Sequence, residues 1–513
     1  MLVDGSTGPQ ANGKPRVLPL APAFMVSAPG KVIVYGEHAV VHGKAAMAAA
    51  ISLRSYLLVT TLSKSYRTIT LNFRDIQFNH TWDIDALPWS VFHHPSRKKR
   101  YYDLVTSLDP ELVTAMQPHI EEVSPEAPEA ARKIHQNAAS SFLYLFLSLG
   151  SHNSPACIYT LRSTLPIGAG LGSSASISVC LATALLIQCR ALSGPHPDQE
   201  PEEAAKQLER INRWAFVGEM LIHGNPSGVD NTVASGGKAV LFKRTDYSKP
   251  PVVQRIGEFP ELPLLLVDTR QPKSTAAEVA KVAQLKKSHP AVANSILDAM
   301  DKITESAHAV IESEDFDASD AASLAKLGDL MSVNHGLLYS LGVSHPKLER
   351  LRYLVEAAGV GWTKLTGAGG GGCAITLLKP GSAIAEEEDG VQDSTKSAGL
   401  RGLQVELEKE GFEKYETTLG GDGVGVLWPA VLHNGTDEIG GEEIDQEKFV
   451  AAEGREGVEE LVGVLGVPKG RQERAGSFGG TEMIWFTGSG VGTGGEMCSP
   501  LALVLRCGYG VQE

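Results

Sequence analysis

The chain has 513 residues, 42% hydrophobic and 21% charged, which is ample for a large buried core and more than one domain, about three by length alone. With 60 acidic against 46 basic residues and a formal charge of -14, its overall balance gives no reason to bind nucleic acid or an anionic membrane surface, so an anionic ligand needs a local pocket. Its six cysteines, Cys157, Cys180, Cys189, Cys373, Cys498 and Cys507, lack paired C-x-x-C spacing, which argues against a zinc site or a disulfide framework and for free thiols in a reducing compartment.

Residues 1–23 are rich in Gly and Pro, lack the basic flank and apolar core of a secretion signal, and read as a disordered leader. The apolar, β-branched runs Phe24 to Val34 and Ala45 to Leu62 predict strands. Tyr66 to Phe78 predicts another, with Ile69, Leu71 and Phe73 on one face. A polar, proline-containing insertion follows over about 86–130, where Arg97-Lys98-Lys99-Arg100 beside Pro95 reads as a solvated turn rather than a nuclear address. From Pro155 the order is strand, glycine-rich loop, apolar helix, polar linker, a long helix to Ile222, and a second glycine-containing loop. The apolar stretch Ala175 to Cys189 falls short of the ~20 residues that span a bilayer and predicts a buried helix. Thr275 to Gly359 carries helical periodicity, with Leu348, Leu351, Val355 and Ala358 on one buried face; a third glycine cluster and the strand Cys373 to Leu378 come next. This mixture predicts an α+β protein of two domains. Beyond Trp428 the composition shifts to Gly and Glu, and residues 429–513 read as a tail of uncertain order.

The strongest local signal is Leu165-Pro-Ile-Gly-Ala-Gly-Leu-Gly-Ser-Ser-Ala175, which joins a strand to an apolar helix. A helix N-terminus offers unpaired N–H donors and about half a positive charge, so Gly168, Gly170, Gly172, Ser173 and Ser174 can surround a polyphosphate without a basic patch. A P-loop is excluded because Gly172 is followed by Ser173 and not by lysine. A dinucleotide fingerprint is excluded because Ser173 replaces its third glycine, and Gln188, Cys189 and Arg190 stand where its acidic residue is needed.

Along Pro201 to Ile222, the spacing Leu208, Ile211, Ala215, Glu219, Ile222 puts Glu219 on the apolar face of its own helix. A buried carboxylate needs a partner: either magnesium, shared with the Ser174 hydroxyl and substrate phosphates, or a core lysine or arginine. The helix ends in His223-Gly-Asn-Pro-Ser-Gly-Val-Asp230-Asn231, where Asp230 reads as a helix N-cap or a catalytic base. Lys31, in Ser27-Ala-Pro-Gly-Lys-Val-Ile-Val-Tyr-Gly-Glu-His38, is solvated or functional. The cluster Lys364-Leu-Thr-Gly-Ala-Gly-Gly-Gly-Gly-Cys-Ala-Ile-Thr376 is too dense in glycine for a regular element and implies a close backbone approach.

In this order, Ser27 to Lys31 with Gly36 to Lys44, Pro166 to Ala175, His223 to Asn231 and Lys364 to Leu378 resemble the superfamily of galactokinase, homoserine kinase, mevalonate kinase and phosphomevalonate kinase. Gly36-Glu-His-Ala-Val-Val-His-Gly43 and His223-Gly-Asn-Pro-Ser-Gly-Val-Asp230 are similar to the mevalonate kinase family in particular. The resemblance spans about residues 24–428. It implies a two-domain small-molecule kinase fold: an N-terminal mixed sheet and helix domain (24–255) that binds ATP, a ferredoxin-like C-terminal domain (256–428), and an active site between them. It further implies Asp230 as the base on the primary hydroxyl of mevalonate, with Lys31 beside it stabilising charge. Ser174 and Glu219 would ligate Mg2+; Gly168, Ala169, Gly170, Leu171, Gly172 and Ser173 would hold the ATP phosphates, with Ser163 near the nucleotide. Glu37, His38 and Thr275 would shape the acceptor pocket. A cytoplasmic homodimer acting on mevalonate and ATP, with neither nucleic acid nor membrane as partner, completes the expectation. Its rivals are another kinase of the superfamily, for which a phosphorylated acceptor would demand cations beyond Lys31, Lys44 and Lys273, and a non-catalytic metabolite sensor on the same scaffold.

Overall fold

The computed structural model describes residues 22–63, 65–166, 168–193, 200–245, 251–380, 382, 396–427, 430, 444–454, 457–458, 461 and 484–485; the leader through residue 21 and most of 429–513 lie outside them. The N-terminal half runs β1 (Phe24–Tyr35), β2 (Ala45–Thr61), β3 (Thr68–Phe73), β4 (Phe78–Asp83), α1 (Trp89–Phe92), α2 (Pro110–Glu121), α3 (Glu129–Leu149), β5 (Cys157–Ser163), α4 (Ser173–Gln188), α5 (Pro201–His223), α6 (Val229–Gly236), β6 (Ala239–Lys243) and β7 (Val252–Ile256). The long strand β2 organises this half. One edge of it pairs with β1; along the other edge its second half (Ser55–Thr61) pairs with β5 and its first residues (Ala45–Ala49) pair with β6. β3 shows the alternation expected of it, with Ile69, Leu71 and Phe73 buried. Helix α4, apolar all round, is buried among β1, β2, α5 and α6, so the element that begins at the glycine loop is also the centre of the core.

The second half runs β8 (Leu262–Asp268), α7 (Thr275–Ser288), α8 (Pro290–Ile311), α9 (Ala321–Ser340), α10 (Pro346–Ala358), β9 (Gly361–Leu365), β10 (Cys373–Leu378), α11 (Lys396–Lys409) and β11 (Glu413–Leu419). Its strands lie side by side as β11-β8-β10-β9, all antiparallel. That is the ferredoxin-like arrangement, with four helices in place of the first one. The α+β, two-domain expectation holds.

Two segments differ from the sequence reading. The insertion at 86–130 contains α2, whose Leu112, Met116 and Ile120 recur every four residues and pack into the core against α3. Beyond β11 the chain returns to the first domain. β12 (Gly425–Leu427) pairs with β1, and α12 (Gln446–Ala451) follows. There Ala430, Ile444, Phe449 and Val458 pack against Met25, Tyr56 and Leu58, while Arg162 donates to the Phe449 carbonyl at 2.8 Å. This stretch of the Gly/Glu-rich region thus packs against the N-terminal sheet. The described cysteines, Cys157, Cys180, Cys189 and Cys373, are free thiols, and no helix of the described residues is long and apolar enough to cross a membrane.

Candidate active site

The glycine loop is held from below and open above. Ala169 and Leu171 are buried in the core, Gly168 and Gly170 are exposed, and the Lys31 amide donates to the Leu171 carbonyl at 2.8 Å. Gly172, at φ 73°, is the N-cap of α4, so Ser173 and Ser174 open the helix with donors that have no carbonyl one turn earlier to bond. A larger residue at 172 is strained: a Cβ there would need the left-handed backbone and would stand 3.0 Å from Lys31 Cγ. Ser163 serves the approach to this loop. Its Oγ accepts from the Leu165 amide at 3.2 Å and its own amide donates to Asp75 at 2.7 Å.

Lys31 sits between two irregularities in the β1–β2 pairing, at Pro29/Lys31 and Ile33/Tyr35, the kind of local break that re-aims a side chain. Its Nζ lies 3.1 Å from Asp230 Oδ1. Asp230 is in the first turn of α6, but the N-cap position belongs to Gly228, so the N-cap role considered for Asp230 is not the one it has. Its carboxylate instead faces a cation from another element, on a helix whose N-terminal dipole also favours negative charge.

Glu219 is buried on α5, as its spacing predicted, and accepts from Ser174 Oγ at 3.2 Å and Ser178 Oγ at 3.3 Å. Burial, then the neighbouring Asp230 charge, pushes its carboxyl up to about 7, against the opposing pull of the two serines and Lys31. Among the described residues no lysine or arginine lies within salt-bridge distance of it, and His223 Nε2 stands 3.7 Å away. A buried carboxylate beside the Ser174 hydroxyl at the start of α4 is a pair of hard oxygen donors that fits a magnesium ion shared with phosphate.

The residues expected at the acceptor pocket separate. His38 has a positive φ (59°), with Nε2 2.8 Å from the Ala368 carbonyl, and so links the β1–β2 connection to the third glycine cluster. Glu37 is buried, at 1% exposure, and receives Lys364 Nζ of β9 and, at 3.0 Å, Asn334 Nδ2 of α9. Its carboxylate thereby joins the end of the β1 segment to β9 and α9 of the second half. Thr275 is exposed as the first residue of α7.

Lys273, which sequence reasoning counted only as a spare cation, reaches between two loops. A Cβ at Gly170 or Gly367 would lie 3.5 or 3.6 Å from its Nζ, and one at Gly372 only 2.7 Å away. Burial, with Lys31 nearby, holds its ammonium below the usual lysine range. Its signal in the sequence is the position itself, five residues past a buried strand and just before the N-cap Ser274. The third glycine cluster packs tightly against this same segment: a Cβ at Gly370 would meet Glu278 at 2.5 Å and one at Gly371 the Gln271 carbonyl at 2.6 Å.

Residues 133–237 match the family described as GHMP kinases N terminal domain, and residues 316–395 match GHMP kinases C terminal. The mevalonate kinase of Aspergillus fumigatus is 68% identical over 88% of this chain and 82% of its own. The chain belongs to the mevalonate kinase family. The relationship extends to the mevalonate kinase of Mus musculus, 37% identical over 79% of this chain and 95% of that one. Among solved structures, mevalonate kinase from Methanococcus jannaschii has the same fold, with a TM-score of 0.52 at 23% identity, covering 79% of this chain and 99% of that one. Mevalonate kinase of L. major, solved in complex with R-mevalonate, gives a TM-score of 0.52 at 22% identity, covering 79% and 98%. The kinase expectation and the two-domain fold are therefore established, and the Lys31–Asp230 pair lies on the blocks that suggested them.

Proposed function

We propose that the protein transfers the terminal phosphoryl group of ATP to the primary hydroxyl of mevalonate, giving 5-phosphomevalonate for isoprenoid and sterol precursors. The observation that carries the mechanism is the 3.1 Å Lys31–Asp230 contact beside the N-terminus of α4. Asp230 takes the hydroxyl proton as the oxygen attacks phosphorus. Lys31 steadies the charge that develops on the attacking oxygen and the transferring group, and no covalent enzyme intermediate is needed. The exposed amides of Gly168 and Gly170, with Ser173 at the helix start, cradle the phosphates; Ser163 orders the turn leading to them. Ser174 and Glu219 would hold magnesium, which when bound neutralises phosphate charge. His38 and Thr275 border the acceptor, and Lys273 adds a cation between the phosphate loop and the third glycine cluster.

A phosphorylated acceptor is less well served. Of the three spare cations, Lys44 pairs with Asp298 and Lys31 with Asp230, which leaves Lys273. Magnesium dependence is supported by the oxygen pair on Glu219 and Ser174; a cytoplasmic location and a homodimer belong to the reading through family resemblance. The test is ADP release by the purified protein with MgATP and mevalonate, phosphomevalonate, galactose or homoserine in turn, with Asp230→Ala as the blank. Turnover confined to mevalonate and lost in the blank is the expected result. Nucleotide binding without turnover on any acceptor overturns it in favour of a metabolite sensor.

A further inference from the structure

The metal position has a third donor. Glu219 and His223 are one turn apart on the same face of α5, and both point at the first turn of α4. Ser174 Oγ is 3.2 Å from Glu219 Oε2 and 3.1 Å from His223 Nε2, and the remaining side of the triangle, Nε2 to Oε2, is 3.7 Å. Neighbouring ligands of an octahedral ion at ~2.1 Å stand ~3.0 Å apart, so these three atoms need to move by only a few tenths of an ångström to share one face of such a shell. The hydroxyl proton of Ser174 can go to only one of its two neighbours at a time. A cation in the middle would use all three lone pairs at once.

We propose that His223 Nε2 is a protein ligand of this metal, making the site one imidazole nitrogen and two oxygens. The proposal rests on the reading of Ser174 and Glu219 as metal ligands. Its chemical consequence is selectivity. Magnesium takes oxygen and gains little from the imidazole, whereas first-row transition ions gain from a nitrogen donor, so the site ranks Mn2+, Co2+ and Ni2+ above Mg2+ in that rising order. The half-exposed imidazole sits on the solvent side of the buried carboxylate, so it is the first protein ligand an arriving ion meets.

The experiment is Mn2+ binding to the full chain, alone and with a non-hydrolysable ATP analogue, read by titration and by pulsed electron paramagnetic resonance for 14N coupling. Wild type, His223→Ala and Glu219→Gln are compared. Expected is a directly coordinated nitrogen signal in wild type that vanishes in His223→Ala, with Mn2+ bound about tenfold more weakly and Mg2+ bound within about threefold of wild type. If Mn2+ binding is lost in Glu219→Gln but His223→Ala keeps wild-type affinity and wild type shows no nitrogen coupling, the imidazole is not a ligand while the oxygen pair stands. If neither substitution changes Mn2+ binding, both readings fall.

Discussion

Replacing Glu219 by glutamine keeps the shape of the side chain and both serine contacts but removes a charge the fold holds at a cost. Raising this carboxyl from 4.5 to about 7 means that ionising it inside the protein costs about 3 kcal/mol more than in the unfolded chain. At 4% exposure there is little solvent to reduce that figure. Between those two pH values the folded state keeps a proton the unfolded state has released, so this group's contribution falls as pH rises and levels off above about 7. The difference between Glu219→Gln and wild type isolates this group from every other titration. In EDTA, the variant should melt with wild type near pH 5 and above it by about 3–6 °C at pH 8, taking 1–2 °C per kcal/mol for a chain this size. Magnesium with an ATP analogue should close the gap at pH 8, because a cation favours the carboxylate only wild type has. Melting curves from pH 5 to 8.5 decide it. A difference that does not change with pH would show that Glu219 titrates as an ordinary surface carboxyl, and the argument from its burial would fail.

Gly172→Ala forces a Cβ into the left-handed region and against Lys31 Cγ; kcat should fall at least about tenfold, with about 1–3 kcal/mol of stability lost, as steady-state kinetics and denaturant melts will show. Lys364→Met strands the Glu37 carboxylate in the core and should cost about 3–5 kcal/mol, most of it recovered when Glu37→Leu is added; urea midpoints for the single and double variants measure this. Phe449→Ala should cost about 3–5 kcal/mol and leave kcat unchanged, since this fully buried ring lies against the outer side of the N-terminal sheet. A stable, inactive Phe449→Ala protein would contradict that placement.

What could be read from the sequence was whatever chemistry local spacing encodes. Gly168, Gly170 and Gly172 all adopt positive φ in a loop that ends on a helix, which their spacing before an apolar run had announced. Glu219 lies where three- and four-residue steps placed it. Partnerships between distant segments were hidden. Nothing in Glu37 names Lys364, 327 positions away, so the ion pair that joins the two halves through this carboxylate could not be read from its block. Helix α2 was obscured by prolines and charge around a three-residue apolar stripe, and the packing of Phe449 by the Gly and Glu that surround it.

The strand that pairs along the outer edge of β1 is β12, from late in the described chain, and it pairs in turn with the two-residue β13 (Ile484–Trp485). A ribosome delivers β1 early and β12 late, so the nucleotide-binding half cannot finish folding as an independent unit while the rest is being made. Until then the free edge of β1 is exposed strand backbone, the kind of edge that invites pairing with another chain. Slow or interrupted synthesis should therefore yield aggregation through β1 more readily than a loose C-terminal half, and chaperone demand should peak just before residues 425–427 emerge.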